Sequence, residues 1–125
     1  MLTDARVEAT VPVLDLQAAR RFYEDVLGLR PAGSIAPEVE MAYECGQGSR
    51  ILIYEHSIMT PPSHTVAHFV VDDVWATVHA LRERGVEFEE YDLPELKTVD
   101  GVAKLRGVDF AWFKDPDRNI FGIHN

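Results

Sequence analysis

The feature that most constrains this 125-residue chain is that its two halves resemble each other. Superposing Asp15 on Asp73 aligns Val11-Pro12-Val13-Leu14-Asp15 with Phe69-Val70-Val71-Asp72-Asp73. In each half an extended apolar stretch runs into an aspartate, an amphipathic helical pattern follows, and a glycine stops it. Those glycines, Gly28 and Gly85, fall within one residue of register. A repeat at about half the chain length points to one supersecondary unit used twice. It predicts a single domain made of two modules, residues 1–60 and 64–125, with Pro61-Pro62-Ser63 as the linker.

The first helix is expected after Asp15 as N-cap, from about Leu16 to Leu27, with Leu16, Ala19, Tyr23, Val26 and Leu27 along one stripe. The second follows Asp72 or Asp73, with Val74, Thr77, Val78 and Leu81 as its stripe and Arg82 and Arg84 in its last turn. Before the first helix, Val7, Ala9, Val11 and Val13 alternate with Glu8, Thr10 and Pro12, a strand with one apolar face. Before the second, Ala67, Phe69 and Val71 alternate with Val66, His68 and Val70. Further strands are expected at Met41–Glu44, Ile51–Glu55, Val86–Tyr91, Phe110–Lys114 and Ile120–His124. Asp115-Pro116-Asp117-Arg118-Asn119 reads as a tight turn. The polar, glycine-interrupted stretch from Leu93 to Gly107 reads as a mobile loop.

Composition removes several classes of function. Acidic residues outnumber basic ones 21 to 12, a formal charge of −9 that repels phosphate backbones and argues against nucleic-acid partners. No apolar run approaches the roughly 20 residues of a membrane helix, and Met1-Leu2-Thr3-Asp4-Ala5-Arg6 is unlike a secretory signal, so a cytoplasmic location is expected. Cys45 is the single cysteine, which excludes an internal disulfide or a thiolate zinc cluster; with no histidine evidently paired to it, an idle thiol is the simpler reading.

Three stretches together resemble the vicinal-oxygen-chelate superfamily, the fold of glyoxalases, bleomycin-resistance proteins and extradiol dioxygenases. They are Val11-Pro12-Val13-Leu14-Asp15 through Arg21-Phe22-Tyr23 and on to Leu27-Gly28-Leu29, then His68-Phe69-Val70-Val71-Asp72-Asp73-Val74 with Leu81 to Val86, and the closing Asp115-Pro116-Asp117-Arg118-Asn119. Arg118 stands where that family usually has glycine; either Arg118 or Asn119 must then supply the left-handed residue, which strains arginine by roughly 1 kcal/mol. The resemblance implies an α+β fold of two βαβββ modules whose curled mixed sheets share a cleft, and frequent homodimers. Helices would cover the outer faces, leaving Glu8, Thr10 and Pro12 toward the cleft.

The resemblance also implies a place for a divalent ion, one ligand from each of four strands. Such ions bind histidine nitrogen or carboxylate oxygen at about 2.0–2.2 Å. The ligand places, carried over by position, are Glu8, a residue near Ile53 or Tyr54, Val66 and Gly122. Valine and glycine side chains have no lone pairs, so a metal-free relative is expected. A displaced set, Glu8, Glu55, His68 and His124, is the alternative: His68, His124 and Glu55 each lie two residues beyond a vacant place and so share its strand face. A step of two residues moves a side chain about 6.6 Å, however.

The expected ligand pocket is Glu8, Tyr54, Val66, His68, Phe110, Trp112, Gly122 and His124, with Tyr91 a further aromatic candidate. Glu8 and His68 are the candidate acid–base residues. Flat rings suit a planar, apolar ligand, although Phe110 reads equally well as core. Phe121 and Ile123 are expected in the core, and His56, His64 and His79 at the surface. The leading reading is a metal-independent small-molecule-binding protein similar to the bleomycin-resistance branch, without a cofactor. Two others stay open. One is an enzyme, such as a lyase or isomerase, acting on a small oxygenated metabolite through Glu8 and His68 or through a displaced divalent metal. The other is a partner-binding module, for which Trp75 would be an interface residue.

Overall fold

Asp15 and Asp73 start the two helices as expected. Both take an extended backbone, φ −139° and −138°. The Asp15 carboxylate accepts hydrogen bonds from the Gln17 and Ala18 amides at 2.9 and 3.2 Å. That of Asp73 accepts from the Ala76 amide at 3.0 Å, which identifies Asp73 rather than Asp72 as the cap. Each cap satisfies amides that the first helical turn leaves unpaired.

The computed structural model describes residues 1–58, 60 and 62–125. Pro61, part of the expected linker, lies outside the described residues. The chain divides into two compact units, Met1–Thr60 and Pro61–Asn125.

In the first unit, strand β1 (Ala9–Val13) leads through Asp15 into helix α1 (Leu16–Arg20), which continues as a wider π-helical stretch over Arg21–Val26. There the Leu27 amide donates to Phe22 O, five residues back, at 2.9 Å. The stripe expected for this helix is correct at Leu16, Ala19 and Tyr23, all buried. The five-residue spacing carries Val26 and Leu27 partly off it, and they are only half-buried. Strands β2 (Arg30–Pro31), β3 (Glu40–Glu44) and β4 (Arg50–Glu55) follow. The sheet order is β1-β4-β3-β2, with β1 parallel to β4 and the other pairs antiparallel. The side chains of Val11, Val13, Ile51 and Ile53 are buried with α1, which packs against β4. Val7, expected in this apolar face, is 87% exposed and precedes the strand, so the alternation begins at Ala9. Under the helix, Tyr43 is fully buried, stacks on Tyr23 and donates to the Glu24 carboxylate at 2.8 Å; burial, then that carboxylate, raises its phenol above the ordinary range.

The second unit repeats the plan. Strand β5 (Thr65–Val70) precedes helix α2 (Val74–Glu83). That helix ends in a Schellman motif: Val86 N donates to Leu81 O, Gly85 N donates to Arg82 O, and Gly85 has φ +94°. A short hairpin of β6 (Asp92–Leu93) and β7 (Leu96–Lys97) comes next, then β8 (Val102–Leu105), β9 (Val108–Lys114) and β10 (Ile120–His124). The order β5-β10-β9-β8 is that of the first sheet, again with one parallel pair, β5 with β10. The fold is therefore α+β, with two four-stranded mixed sheets and no closed barrel among the described residues.

Two expectations about this unit are corrected. Val86–Tyr91 is not a strand; it makes a single bridge, Phe88 to Phe113. The stretch from Leu93 to Gly107 is not a loop throughout, because it contains β7 and β8, and Val102 and Ala103 are buried. Its glycines bracket the edge strand rather than interrupt it. Asp100 and Gly101 (φ 51° and 81°) turn the chain into β8, and Arg106 and Gly107 (φ 51° and 83°) turn it into β9. Two consecutive positive φ values match the twist of a two-residue hairpin.

The core face of the second sheet is aromatic. Phe69, Phe113 and Phe121 lie within ring-centroid distances of 5.5 to 6.5 Å; Phe69 is half-buried, and Phe113 and Phe121 are buried with Ala111, Ile123 and the α2 residues Val74 and Val78. The closing turn is pinned from inside. Asn119 is fully buried; its amide and its side-chain nitrogen each donate to the Asp115 carboxylate at 2.8 Å. Arg118, not Asn119, takes the left-handed backbone, φ 71°.

Candidate functional site

Because strand side chains alternate, the residues between the core positions of β5, β9 and β10 share the sheet face turned away from α2. Those residues are His68, Phe110, Trp112, Gly122 and His124. Register brings them side by side: Gly122 pairs with His68 and with Trp112, and His124 pairs with Phe110. The rings touch. Phe110 and Trp112 are 5.8 Å apart and nearly parallel at 8°, and Tyr91 meets Trp112 edge-on at 5.6 Å. His68 lies 6.3 Å from Phe110 and 5.1 Å from His124, and His124 is 5.4 Å from Phe110. Beyond Tyr91, Lys114 and Glu89 form an ion pair at 2.8 Å.

Gly122 is what lets these rings lie close. A Cβ there would overlap Cε1 and Nδ1 of His68, so the imidazole edge occupies the space a side chain would fill. Among the described residues neither ring nitrogen of His68 has a hydrogen-bond partner. His68 is exposed; partial loss of water around its ring, and next the neighbouring His124, hold it below the ordinary histidine range, which favours the neutral ring. His124 is tied differently, with Nδ1 3.1 Å from the carbonyl oxygen of Asn125. Val66 is the extra residue of a bulge: Thr65 pairs with Ile120 and Ala67 with Phe121, leaving Val66 unopposed.

The remaining expected pocket residues, Glu8 and Tyr54, belong to the first unit. Glu8 precedes β1 and lies 3.6 Å from the Arg50 guanidinium. Its side chain is 38% exposed. Tyr54 is half-buried on β4 and meets the His56 ring edge-on at 6.3 Å. Glu55 accepts a hydrogen bond from the Leu16 amide at 3.0 Å and so serves the start of α1. The sequence did not reveal that role, because the two residues are far apart along the chain.

The residues present do not fit the divalent ion implied by the fold. Two of the four ligand places are Val66 and Gly122; the second is also filled by the His68 ring, which excludes any side chain there. Of the displaced set, Glu55 and Glu8 have partners in the first unit, while His68 and His124 adjoin in the second. Among the described residues, no group of three or more histidine, cysteine, aspartate or glutamate side chains is arranged to hold a metal ion. Cys45 is half-buried, and burial raises its thiol above the ordinary range, the opposite of an activated nucleophile. No helix is long and apolar enough among the described residues to cross a membrane.

Comparison with known proteins agrees with this architecture. Solved structures with the same fold include a glyoxalase/bleomycin resistance protein from Streptomyces sp. CB03234, 23% identical, with a TM-score of 0.67 and 97% and 100% of the two chains covered. TnmS3, an antibiotic binding protein from Streptomyces sp. CB03234, is also 23% identical, with a TM-score of 0.68 and 98% and 96% covered. A glyoxalase/dioxygenase from Nostoc punctiforme is 16% identical, with a TM-score of 0.68 and 97% and 90% covered. No curated protein sequence matches this one significantly. The family model described as Glyoxalase/Bleomycin resistance protein/Dioxygenase superfamily matches residues 6–123, nearly the whole chain, and the protein belongs to that superfamily.

Proposed function

We propose that the protein is a metal-independent small-molecule binder that takes a planar ligand against the aromatic face of its second sheet. The observation that carries the reading is the parallel Phe110–Trp112 pair, flanked by His68 and His124, on the sheet face opposite the buried Phe113 and Phe121. Flat rings with polar groups at their margin bind flat ligands through burial and stacking. Similarity of fold to an antibiotic binding protein supports the same reading. The two vacant ligand places support binding without a metal. We also propose that the protein acts in the cytoplasm as a homodimer, which sedimentation would check through a mass of two chains.

Thermal unfolding with a panel of planar aromatic compounds tests the reading, since a ligand that binds the native state raises apparent stability. A hit should raise the melting temperature of the parent protein and not that of Trp112→Ala. A panel that stabilises both proteins equally would place binding elsewhere.

A second reading, an enzyme using Glu8 and His68 on a small oxygenated metabolite, is favoured by one feature: the unpartnered ring nitrogens of His68. It predicts turnover that falls in Glu8→Gln with little change in binding. Unchanged turnover in that variant removes Glu8 from the mechanism.

A further inference from the structure

Between its helix and its edge strand, the second unit carries a segment that has no counterpart in the first. After Gly28 the first unit passes directly into β2, whereas after Gly85 the chain does not reach the corresponding strand, β8, until Val102. The segment starts and ends at one place. Strand β8 pairs with β9 only as far as Ala111. Beyond it, Phe88 bridges to Phe113 and the Glu89 amide donates to Trp112 O at 2.8 Å, so the segment takes over that edge of β9. The chain returns at Gly101, which is buried with φ +81°; a Cβ there would stand 2.9 Å from Phe88 Cβ and 2.8 Å from Nη2 of Arg82. Arg82, in the last turn of α2, donates to Asp100 O at 2.7 Å, and its guanidinium lies 5.6 Å from the Phe88 ring centroid. Midway, the Thr98 amide donates to Tyr91 O at 2.9 Å and the Tyr91 amide to Thr98 Oγ1 at 2.8 Å. The Tyr91 ring stands edge-on to Trp112, at the end of the ring row away from the histidines.

We propose that residues 88–101 open and close as one strap and that Arg82 is its latch, a positioning residue that holds Tyr91 against Trp112 from the far end of the segment. A segment fastened at both ends gains little freedom when one contact breaks. With the Asp100 end released, the open states multiply, and Glu89 leaves Trp112 O while Tyr91 swings off the indole. The importance of the latch for binding rests on the reading of the ring face given above: with the strap closed, Tyr91 walls one end of that face, and with it open the end is bare. Gly101 completes the device, because only a residue without a side chain lets Arg82 and Phe88 meet over the backbone.

Amide hydrogen exchange followed by NMR tests the latch without a ligand. Two amides report on the strap: Val99, which donates to Val102 O at 2.9 Å beside the latch, and Glu89, which donates to Trp112 O at the ring face. In Arg82→Ala both should exchange faster by about two- to tenfold, the scale of one lost hydrogen bond, while the amides of β10 keep their parent rates. Arg82→Lys, which keeps a donor for the Asp100 carbonyl, should recover part of the protection. Tyr91→Ala removes the fastening at the other end and should speed the same two amides, because a single opening unit responds as a whole wherever it is loosened. Faster exchange at Val99 with Glu89 unchanged would confine Arg82 to a local contact and overturn the proposal. So would parent rates at both amides, or an equal acceleration throughout β10, which marks general loosening. These rates do not depend on whether the ring face binds anything. The binding reading stands or falls on ligand titrations of Trp112→Ala, so the two failures are distinguishable.

Discussion

The two sheets have the same strand order and the same single parallel pair, and they do the same thing with one face and different things with the other. Toward their helices both are closed and apolar: Val11, Val13, Ile51 and Ile53 in the first, Phe69, Phe113, Phe121 and Ile123 in the second. The opposite faces diverge. The first carries Arg50 beside Glu8, and Tyr54; the second carries an unbroken run of rings from Tyr91 through Trp112 and Phe110 to the two histidines. Packing against a helix constrains the volume and polarity of every side chain involved, while the other face need only keep the strand extended. A duplicated unit can thus preserve its architecture and specialise one copy.

The comparison can be broken most directly at the closed faces. Phe121→Ala should destabilise the protein by about 3–5 kcal/mol and Ile53→Ala by about 2–5 kcal/mol, each leaving a cavity where no side chain can relax inward. Urea unfolding measures both, and a loss under 1 kcal/mol at either position would mean that the halves do not share one packing logic. The open faces should separate where the closed ones agree. Trp112→Ala should weaken the binding of a planar ligand by about tenfold, with Tyr54→Ala changing it less than about twofold, by the energy of a single aromatic contact. Equal losses, read by calorimetry, would contradict the assignment of the site to one sheet.

The caps probe likeness again at a smaller scale: Asp15→Ala and Asp73→Ala should each cost about 1 kcal/mol. Acid should then reveal the specialised face. His68 binds its proton less readily in the folded chain than in the unfolded one. Its contribution is therefore intact above the unfolded value, near pH 6.5, and is lost as pH falls through the folded value. The urea midpoint should drop as pH falls below about 6.5, and His68→Gln should flatten part of that drop. A midpoint in the variant with an unchanged pH slope would exclude His68 as the source.

What the sequence disclosed followed from periodicity and punctuation. The caps at Asp15 and Asp73, the ends at Gly28 and Gly85, and the buried phase of β1 and β10 are local signals, and they were readable. The edge strand β8 was hidden because it is four residues long and its neighbours are polar. Asp100-Gly101 is a common hairpin dipeptide that could have exposed it, whereas Arg106-Gly107 gives no such hint. The π-helical stretch after Arg20 also has no one-dimensional signature, since α and π windings accept the same residues. At the candidate site, alternation put His68, Phe110, Trp112, Gly122 and His124 on shared faces. The seating of one imidazole in the gap left by a glycine on the next strand depends on register, which residue spacing within a strand does not contain.

Arg118 holds a backbone pose that most side chains resist, and Gln47, Asp100 and Arg106 do likewise. Replacing Arg118 with glycine should relieve that resistance, raising stability by about 0.5–1 kcal/mol once the added freedom of the unfolded chain is counted. A natural sequence that leaves such gains unclaimed has not been pressed toward maximal robustness. Each of these four corners is thus a reserve that an experimenter, or further evolution, could draw on to tolerate costly changes on the ring-bearing face.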